Sequence, residues 1–336
     1  MKRHKWVIAA LTLVLALVAG ACGGEQNPAL DPGDDAPGTD QSAPPTFDAG
    51  TTMDALQKKG RIVVGVKFDQ PGFGQSNPTA GKVEGFDVEI AKLVAAGIFG
   101  GEAAAAERKI EFKESVSKNR EPFIQNGEVD LVIATYTISD TRKQVVDFAG
   151  PYFVAQQDIM VKKDDNSIKS VNDLNGKKVC TAKGSTSEKN LRAKAANADV
   201  TLFDTYSQCA EAMTDGRVVA VTTDNTILAG LVQASNGAFK LVKAPFSDEP
   251  YGIGLKKGDQ PFRDFINDRL EEIFDNGEWA KAFEATLGKI GLETPEHPKI
   301  DRYTTTAGGA TTTGAGGTAT TTGSGTGGSA STTAQP

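Results

Sequence analysis

Residues 131–148, LVIATYTISDTRKQVVDF, place a guanidinium and a group of hydroxyls within a few positions of one another. Leu131, Val132, Ile133 and Ala134 read as a buried strand, and Thr135, Tyr136, Thr137 and Ser139 follow at its end. Ser139 and Asp140 are good helix starters, which puts Arg142 in the first turn of the segment they open. A strand end, hydroxyls, a helix start and a fork of guanidinium donors together suit the capture of a small carboxylate. The same residues also fit a plain strand-turn-helix unit with Arg142 on its surface.

Three other places carry matching chemistry. Gly184-Ser185-Thr186 opens a helix, where free backbone N–H groups favour an anion; Ser185 and Glu188 are spaced as a capping box, and plain capping is the alternative for Thr186. Asp224 ends a strand and offers a carboxylate to an ammonium group, or else caps the helix after it. Arg120 falls in the first turn of its helix, where a cation opposes the helix dipole by ~0.3–1 kcal/mol. A residue set against the local field asks for an anionic partner, although an exposed helix position would need none.

Alternating strands and helices must position these groups. Residues 61–66, 110–114 and 129–134 read as strands, with helices at 86–96 and 120–126; Val88, Ile90, Ala91, Leu93 and Val94 give the first helix its buried face. The rhythm then starts again. An extended segment at 157–163 and a short helix at 171–174 lead to strands at 178–182, 200–203 and 218–221, with helices after Gly184, at 206–213 and at 225–234. An extended run at 251–255 and helices at 261–275 and 278–287 return to the first half. Such alternation predicts parallel sheet covered on both faces.

The ends of the chain differ in character. Lys2, Arg3, His4 and Lys5 precede an apolar run at 7–19, too short to span a bilayer comfortably, and small residues lead to Cys22. Residues 1–21 thus read as a lipoprotein signal peptide, with Cys22 acylated, palmitate included, as the mature N-terminus. An ordinary secretory peptide with a chance cysteine is the alternative, and either exports the protein. Residues 22–50 read as a disordered tether and residues 304–336, nearly all Thr, Gly, Ala and Ser, as a disordered tail. The chain holds 43 acidic and 36 basic residues, a formal charge of −7, and no basic block outside the signal, which argues against a nucleic-acid partner. Once the signal is lost His297 is the remaining histidine, and no HExxH, Walker A or nucleophile-elbow pattern occurs. Neither catalysis, a metal nor a cofactor is expected. Besides Cys22 there are Cys180 and Cys209, which in an oxidising compartment form a disulfide or stay as two buried thiols.

A series of motifs then resembles one family in order. Gly85-Phe86-Asp87-Val88-Glu89-Ile90, Asn126-Gly127-Glu128-Val129-Asp130, the stretch carrying Arg142, Asp173-Leu174-Asn175-Gly176-Lys177, Gly184-Ser185-Thr186 and Tyr251-Gly252-Ile253-Gly254-Leu255 are similar to those of the family 3 extracellular solute-binding proteins, the receptors of polar amino acid ATP-binding cassette importers. The resemblance covers nearly all of residues 51–291. Within the family, the run VGVKFDQPGFG, the Asn119-Arg120 pair and the two cysteines are most similar to actinobacterial glutamate-binding lipoproteins.

The resemblance implies an α/β, periplasmic-binding-protein-like (type II) fold. Two lobes, residues 51–153 with 247–303 and residues 154–246, are joined by two crossing hinge strands and close on a ligand. By the same resemblance Arg142 meets an α-carboxylate, helped by Thr137 and by Ser185 and Thr186 at the helix start, while Asp224 with Thr135 meets the α-ammonium. Lys67, matching a basic position of glutamate and aspartate binders, would join Arg120 in holding a distal carboxylate. Charged donors facing a neutral amide would differ by ~1 kcal/mol or more per hydrogen bond, which favours L-glutamate or L-aspartate over glutamine or asparagine. Phe68 and Phe73 either cover the ligand's methylenes or belong to the lobe core. The expected protein is a monomeric receptor, anchored through Cys22 to the outer face of a bacterial cell membrane, that hands its ligand to a permease. A sensor docking on a membrane signalling receptor would share the same pocket.

Overall fold

The computed structural model describes residues 44–305 and 311–312. The expected signal peptide, Cys22, the tether up to residue 43 and the tail from 306 onward, Thr311 and Thr312 aside, lie outside the described residues. Phe47 packs edge-on against Phe265, and the Gln57 amide donates to the Pro45 carbonyl, so the last residues of the expected tether lie against the folded part.

Helix-end chemistry sets the first element. In α1 (Thr52–Lys59) the Thr51 hydroxyl accepts from the Asp54 N–H, and Gly60 ends the helix in the left-handed region. After β1 (Ile62–Val66), a small sheet of β2 (Asp69–Gln70), β3 (Gly74–Asn77) and β4 (Lys82–Glu84) leads to α2 (Phe86–Phe99). Then come α3 (Ala103–Ala106), β5 (Ile110–Glu114), α4 (Arg120–Gln125), β6 (Leu131–Val132) and α5 (Asp140–Lys143). The long β7 (Asp147–Lys162) carries the chain into β8 (Lys178–Ala182), α6 (Thr186–Lys194), β9 (Asp199–Phe203), α7 (Tyr206–Thr214), β10 (Ala220–Asp224), α8 (Asn225–Ala234) and β11 (Phe239–Leu241). It returns on β12 (Ser247–Leu255), followed by α9 (Gln260–Asp275) and α10 (Glu278–Thr286).

One nine-stranded sheet runs in the order β5-β1-β6-β12-β7-β10-β8-β9, with β11 paired to β7. Its two arms are parallel, as the alternation of strands and helices predicts. Its centre is antiparallel: β7 pairs with β12 over residues 147–157 and with β10 over residues 157–161. β7 and β12 are therefore the two strands that cross between the halves. β7 is also the main departure from the sequence reading, because it begins at Asp147 and not near residue 157. Residues 147–153 are buried on both faces, so the alternation that marks a half-exposed strand is missing there.

Three apolar clusters fill the molecule. Phe73, Phe86, Phe153, Tyr251, Trp279 and Phe283 centre the largest. A small one holds Tyr136, Val146, Phe148 and Tyr303 beside α5, and a third, around Ile159, Val179 and Leu191, lies in the second lobe. Cys180 on β8 is bonded to Cys209 on α7, their Cα atoms 5.5 Å apart, so the pair is a disulfide. A loop of this length stabilises the fold by about 3.5 kcal/mol on the chain-entropy model. No helix among the described residues is long and apolar enough to cross a membrane.

Candidate ligand-binding site

Arg142 lies where the two lobes meet. The Ser139 hydroxyl accepts from the Arg142 N–H (3.4 Å) and fixes the start of α5. The buried guanidinium donates from Nε to Glu121 (3.0 Å), from Nη1 to the Thr137 carbonyl (2.8 Å) and from Nη2 to the Gly184 carbonyl of the second lobe (3.3 Å). Three of its five N–H donors are used in this way. One on each terminal nitrogen is left, a pair that suits a carboxylate.

Thr137 reaches the second lobe as well. Its hydroxyl donates to Glu249 on β12 (2.7 Å) and lies 3.2 Å from the Thr186 hydroxyl. The cap of α6 is Ser185, which accepts from the Glu188 N–H (3.0 Å) and donates to the Ala182 carbonyl (2.7 Å). The Ser185 hydroxyl is thus engaged by its own helix, while that of Thr186 is turned to the cleft. Glu188 reaches one residue beyond the capping-box position, to the Gly184 N–H (3.0 Å). Gly184 has φ +75, and a Cβ there would meet the Lys118 Cα of the first lobe at 2.9 Å. Only glycine allows this approach.

Asp224 occupies the N-cap position of α8 but makes no capping bond. Its Oδ2 accepts instead from the Tyr251 hydroxyl (2.6 Å), and its buried Oδ1 has no partner among the described residues. Burial, and after it the Glu249 charge, pushes the carboxyl up to about 7. A cation at Oδ1 would restore the ionised form.

Lys67 is buried and donates to the Ser117 hydroxyl (2.9 Å); burial, and then the Arg120 charge, brings its ammonium down to about 7. Arg120 is turned to the chain itself. Its Nε donates to the Ser117 carbonyl (3.3 Å) and its Nη1 to the carbonyls of Ala134 (3.0 Å) and Thr135 (3.1 Å). Arg120 and Arg142 both lie over the Tyr136 ring, 4.4 and 4.8 Å from its centroid. Thr135 sits at φ +45, its N–H donating to Asp87 (2.9 Å) and its hydroxyl to Gln70 Oε1 (3.0 Å). Its N–H and hydroxyl hydrogen are therefore used within the first lobe, while its carbonyl, which accepts from Arg120, keeps a second acceptor position. Asp87, which also accepts from the Tyr152 hydroxyl (2.6 Å), holds this strained residue in place. Phe73 stands edge-on to Phe86, Phe153 and Tyr251 in the core, and half-buried Phe68 packs against the same cluster. Core is one of the two roles that their loop position left open.

Gln70, Asp87, Ser117, Glu121, Glu249 and Tyr251 complete the site; none is read as a site residue from the sequence, although Gln70, Asp87 and Tyr251 lie in the family motifs. Asp87 is an acid in the first turn of a helix, where it passes for a dipole partner. Glu249 meets Thr137 across a separation of 112 residues, and no local spacing marks it.

Among known proteins, residues 62–289 match the bacterial extracellular solute-binding proteins, family 3. The ABC transporter glutamine-binding protein GlnH of Bacillus subtilis is 43% identical over 233 residues, 69% of this chain and 83% of that protein. The glutamate-binding protein GluB of Corynebacterium glutamicum is 40% identical over 248 residues, 72% of this chain and 83% of that one. An ancestral arginine-binding protein, solved bound to glutamine, is 41% identical with a TM-score of 0.62, covering 68% of this chain and 98% of its own. The crossing strands, the two-lobed type II fold and the match over most of the folded part lead to one conclusion: this chain belongs to family 3 of the bacterial extracellular solute-binding proteins.

Proposed function

We propose that the chain is an extracytoplasmic receptor that closes its two lobes on an acidic amino acid, L-glutamate or L-aspartate, and presents it to the permease of an ATP-binding cassette importer. The observation that carries this reading is the pairing of Asp224 with Arg142. An acceptor buried without a partner among the described residues on one lobe and a guanidinium with two donors left among them on the other are the complements of an α-ammonium and an α-carboxylate.

The acidic side chain follows from charge. Lys67, Arg120 and Arg142 are all buried in the first lobe; Glu121 answers Arg142, and Asp87, which faces Lys67 and Arg120, is raised by burial to about 7 and so answers them only in part. A second carboxylate on the ligand supplies a further anion, and Lys67, whose ammonium has only Ser117 to donate to among the described residues, receives it. Gln70 Nε2, buried and without a partner among the described residues, adds a neutral donor. Arg120 contributes its field and holds the chain at residues 134–135. Membrane attachment is through Cys22, so labelling with a fatty-acid probe should mark the wild-type chain and not Cys22→Ser.

Glutamine is the second reading. A lysine whose ammonium is brought down to about 7 is in part a neutral amine, and a neutral amine accepts from an amide N–H. Calorimetric titration of ligand-free protein with glutamate, aspartate, glutamine and asparagine separates the two. The acids should bind about tenfold more tightly than the amides. Tighter binding of the amides would pass the site to glutamine, and binding of none of the four would overturn the Asp224–Arg142 pairing.

A further inference from the structure

The family match ends at residue 289, yet the chain stays on the first lobe for a further stretch. Residues 292–303 have no regular secondary structure and cross α9 and α10 toward the start of β7. Leu292 and Ile300 pack on the main core, His297 stacks on Phe274 with centroids 4.5 Å apart, and Arg302 pairs with Asp268 and Glu271 on α9. The stretch ends in Tyr303, which is only 2% exposed.

Tyr303 and Asp301 are tied to the residues that flank Arg142. The Tyr303 hydroxyl accepts from the Phe148 N–H (2.8 Å) and donates to Asp147 (3.3 Å). Lys143 Nζ and the Arg263 guanidinium lie over its ring, 4.0 and 4.1 Å from the centroid. Asp301 pairs with Lys143 Nζ (3.0 Å) and donates its N–H to the Gly150 carbonyl (2.8 Å). Lys257 closes the ring of contacts by donating to the Lys143 carbonyl (2.6 Å) and to Asp147 (2.9 Å). On its inner side Tyr303 shares a small core with Phe148 and Tyr136, and Arg142 lies on the Tyr136 ring.

A helix of four residues cannot hold its own geometry, because too few hydrogen bonds offset the cost of the first turn. Ser139 fixes the start of α5, and Lys143 must fix its end. We propose that residues 292–303 form a C-terminal strap and that Tyr303 is a positioning residue for Arg142: by holding the end of α5 and the start of β7 together it sets the direction of the guanidinium. The proposal builds on Arg142 meeting the ligand's carboxylate.

The test compares Tyr303→Ala, Tyr303→Phe and Asp301→Asn with the wild-type chain, by amide hydrogen exchange without ligand and by glutamate titration. The amides of Lys143, Val145 and Val146, which donate within the α5 turn, report the strap; those of α8 are the control. Tyr303→Ala should speed exchange at the three α5 amides by about tenfold, leave α8 unchanged and weaken glutamate by about tenfold. Tyr303→Phe keeps the ring beneath the two cations and should recover most of both losses. Unchanged exchange at α5 overturns the proposal, as does a lower unfolding midpoint with unchanged exchange and affinity. Faster exchange with unchanged affinity overturns the positioning role. Should Tyr303→Ala fail to fold, Asp301→Asn, which keeps the ring and loses the tie to Lys143, decides by the same readouts. A wild-type chain that binds no amino acid would refute the receptor reading, while the exchange data would still decide whether the strap holds α5.

Discussion

The two lobes meet the same cleft with opposite chemistry. The first buries Lys67, Arg120 and Arg142 and satisfies the two guanidinium groups largely with carbonyls, those of Ser117, Ala134, Thr135 and Thr137. Neutral acceptors meet the hydrogen bonds but leave the charge in place, and Glu121 at Arg142 with Asp87 near Lys67 and Arg120 offsets only part of it. The second lobe brings hydroxyls, with Ser187 donating to Thr223 and Thr186 beside Thr137, and one carboxylate, Asp224. Burial penalises each set alone, which is why Lys67 and Asp224 are both brought to about 7 from opposite sides. On the proposed reading, a ligand with both charges would cancel both penalties, which would make binding and closure one event. Glu249 on β12 ties the sides together, accepting from Thr137 of one lobe and Asn190 of the other.

Removing Arg142 tests this contrast most severely. Arg142→Ala takes away two charged hydrogen bonds to any α-carboxylate, so calorimetry should show a loss of about a hundredfold or more for all four amino acids. A loss below about tenfold would place the α-carboxylate elsewhere. Closure is tested next at Gly230 on α8, where a Cβ would run into the Pro71 carbonyl of the first lobe. Alanine suits a helix better than glycine by ~1 kcal/mol, so Gly230→Ala should not lower the unfolding midpoint of the ligand-free chain. It should weaken glutamate by about tenfold and abolish ligand-induced compaction in small-angle scattering. Unchanged affinity would show that the lobes do not meet in this way.

How far the site was legible depends on how local its signals are. Arg142 could be found because its strand, its cap and its place in the turn all lie within residues 131–143. Asp224 could be located, but whether it caps α8 could not be read, since only the fold turns its carboxylate away from the helix and to Tyr251. Ser185 and Thr186 are neighbours, and their spacing to Glu188 announces a cap without saying which hydroxyl stays free. The position of Arg120 against the helix dipole asks for an anionic partner, whereas the hydrogen-bond partners that the structure provides are the carbonyls of residues 117, 134 and 135, set by the path of the chain. The first half of β7 carried no alternation because both its faces are buried. The strap, with three widely spaced apolar residues and several charges, has the composition of a linker and no periodicity to reveal it.

Lys67 sharpens the contrast by an amount that separates acids from amides. Lys67→Met should cost glutamate and aspartate about tenfold and change glutamine by less than about threefold. A proton signature accompanies it. With Lys67 brought down to about 7, the amine is mostly neutral at pH 8 and must take up a proton to meet a ligand carboxylate, while Asp224, raised to about 7, is already mostly ionised there. Calorimetry in buffers of different ionisation enthalpy should therefore read a net proton uptake for glutamate at pH 8 and close to none for glutamine or for Lys67→Met. Near pH 6 the sign reverses, because Lys67 is already charged and Asp224 must release its proton to meet the ammonium. Equal uptake for glutamate and glutamine at pH 8 would remove Lys67 from the side-chain site.

The smallest effect belongs to the rim. Lys118 of the first lobe meets both oxygens of Asp204 in the second, at 2.7 and 2.6 Å, with the two side chains 38% and 48% exposed. Beside it Asp69 of the first lobe accepts from the Tyr206 N–H (2.9 Å) at the start of α7. Both contacts span the lobes; if they form only on closure, their loss belongs in affinity and not in the stability of the ligand-free chain. They differ in their surroundings. A pair this exposed contributes ~0–1 kcal/mol and is screened by salt, whereas a carboxylate accepting from a helix N-terminus contributes ~0.5–2 kcal/mol and is screened less when half-buried. Asp204→Asn should then weaken glutamate by less than about fivefold at low ionic strength and by nothing measurable in about 0.5 M salt. Asp69→Ala should cost more and keep its cost in salt. An Asp204 effect that survives salt, or that lowers the unfolding midpoint of the ligand-free chain, would mean that Lys118 and Asp204 already touch before the ligand arrives.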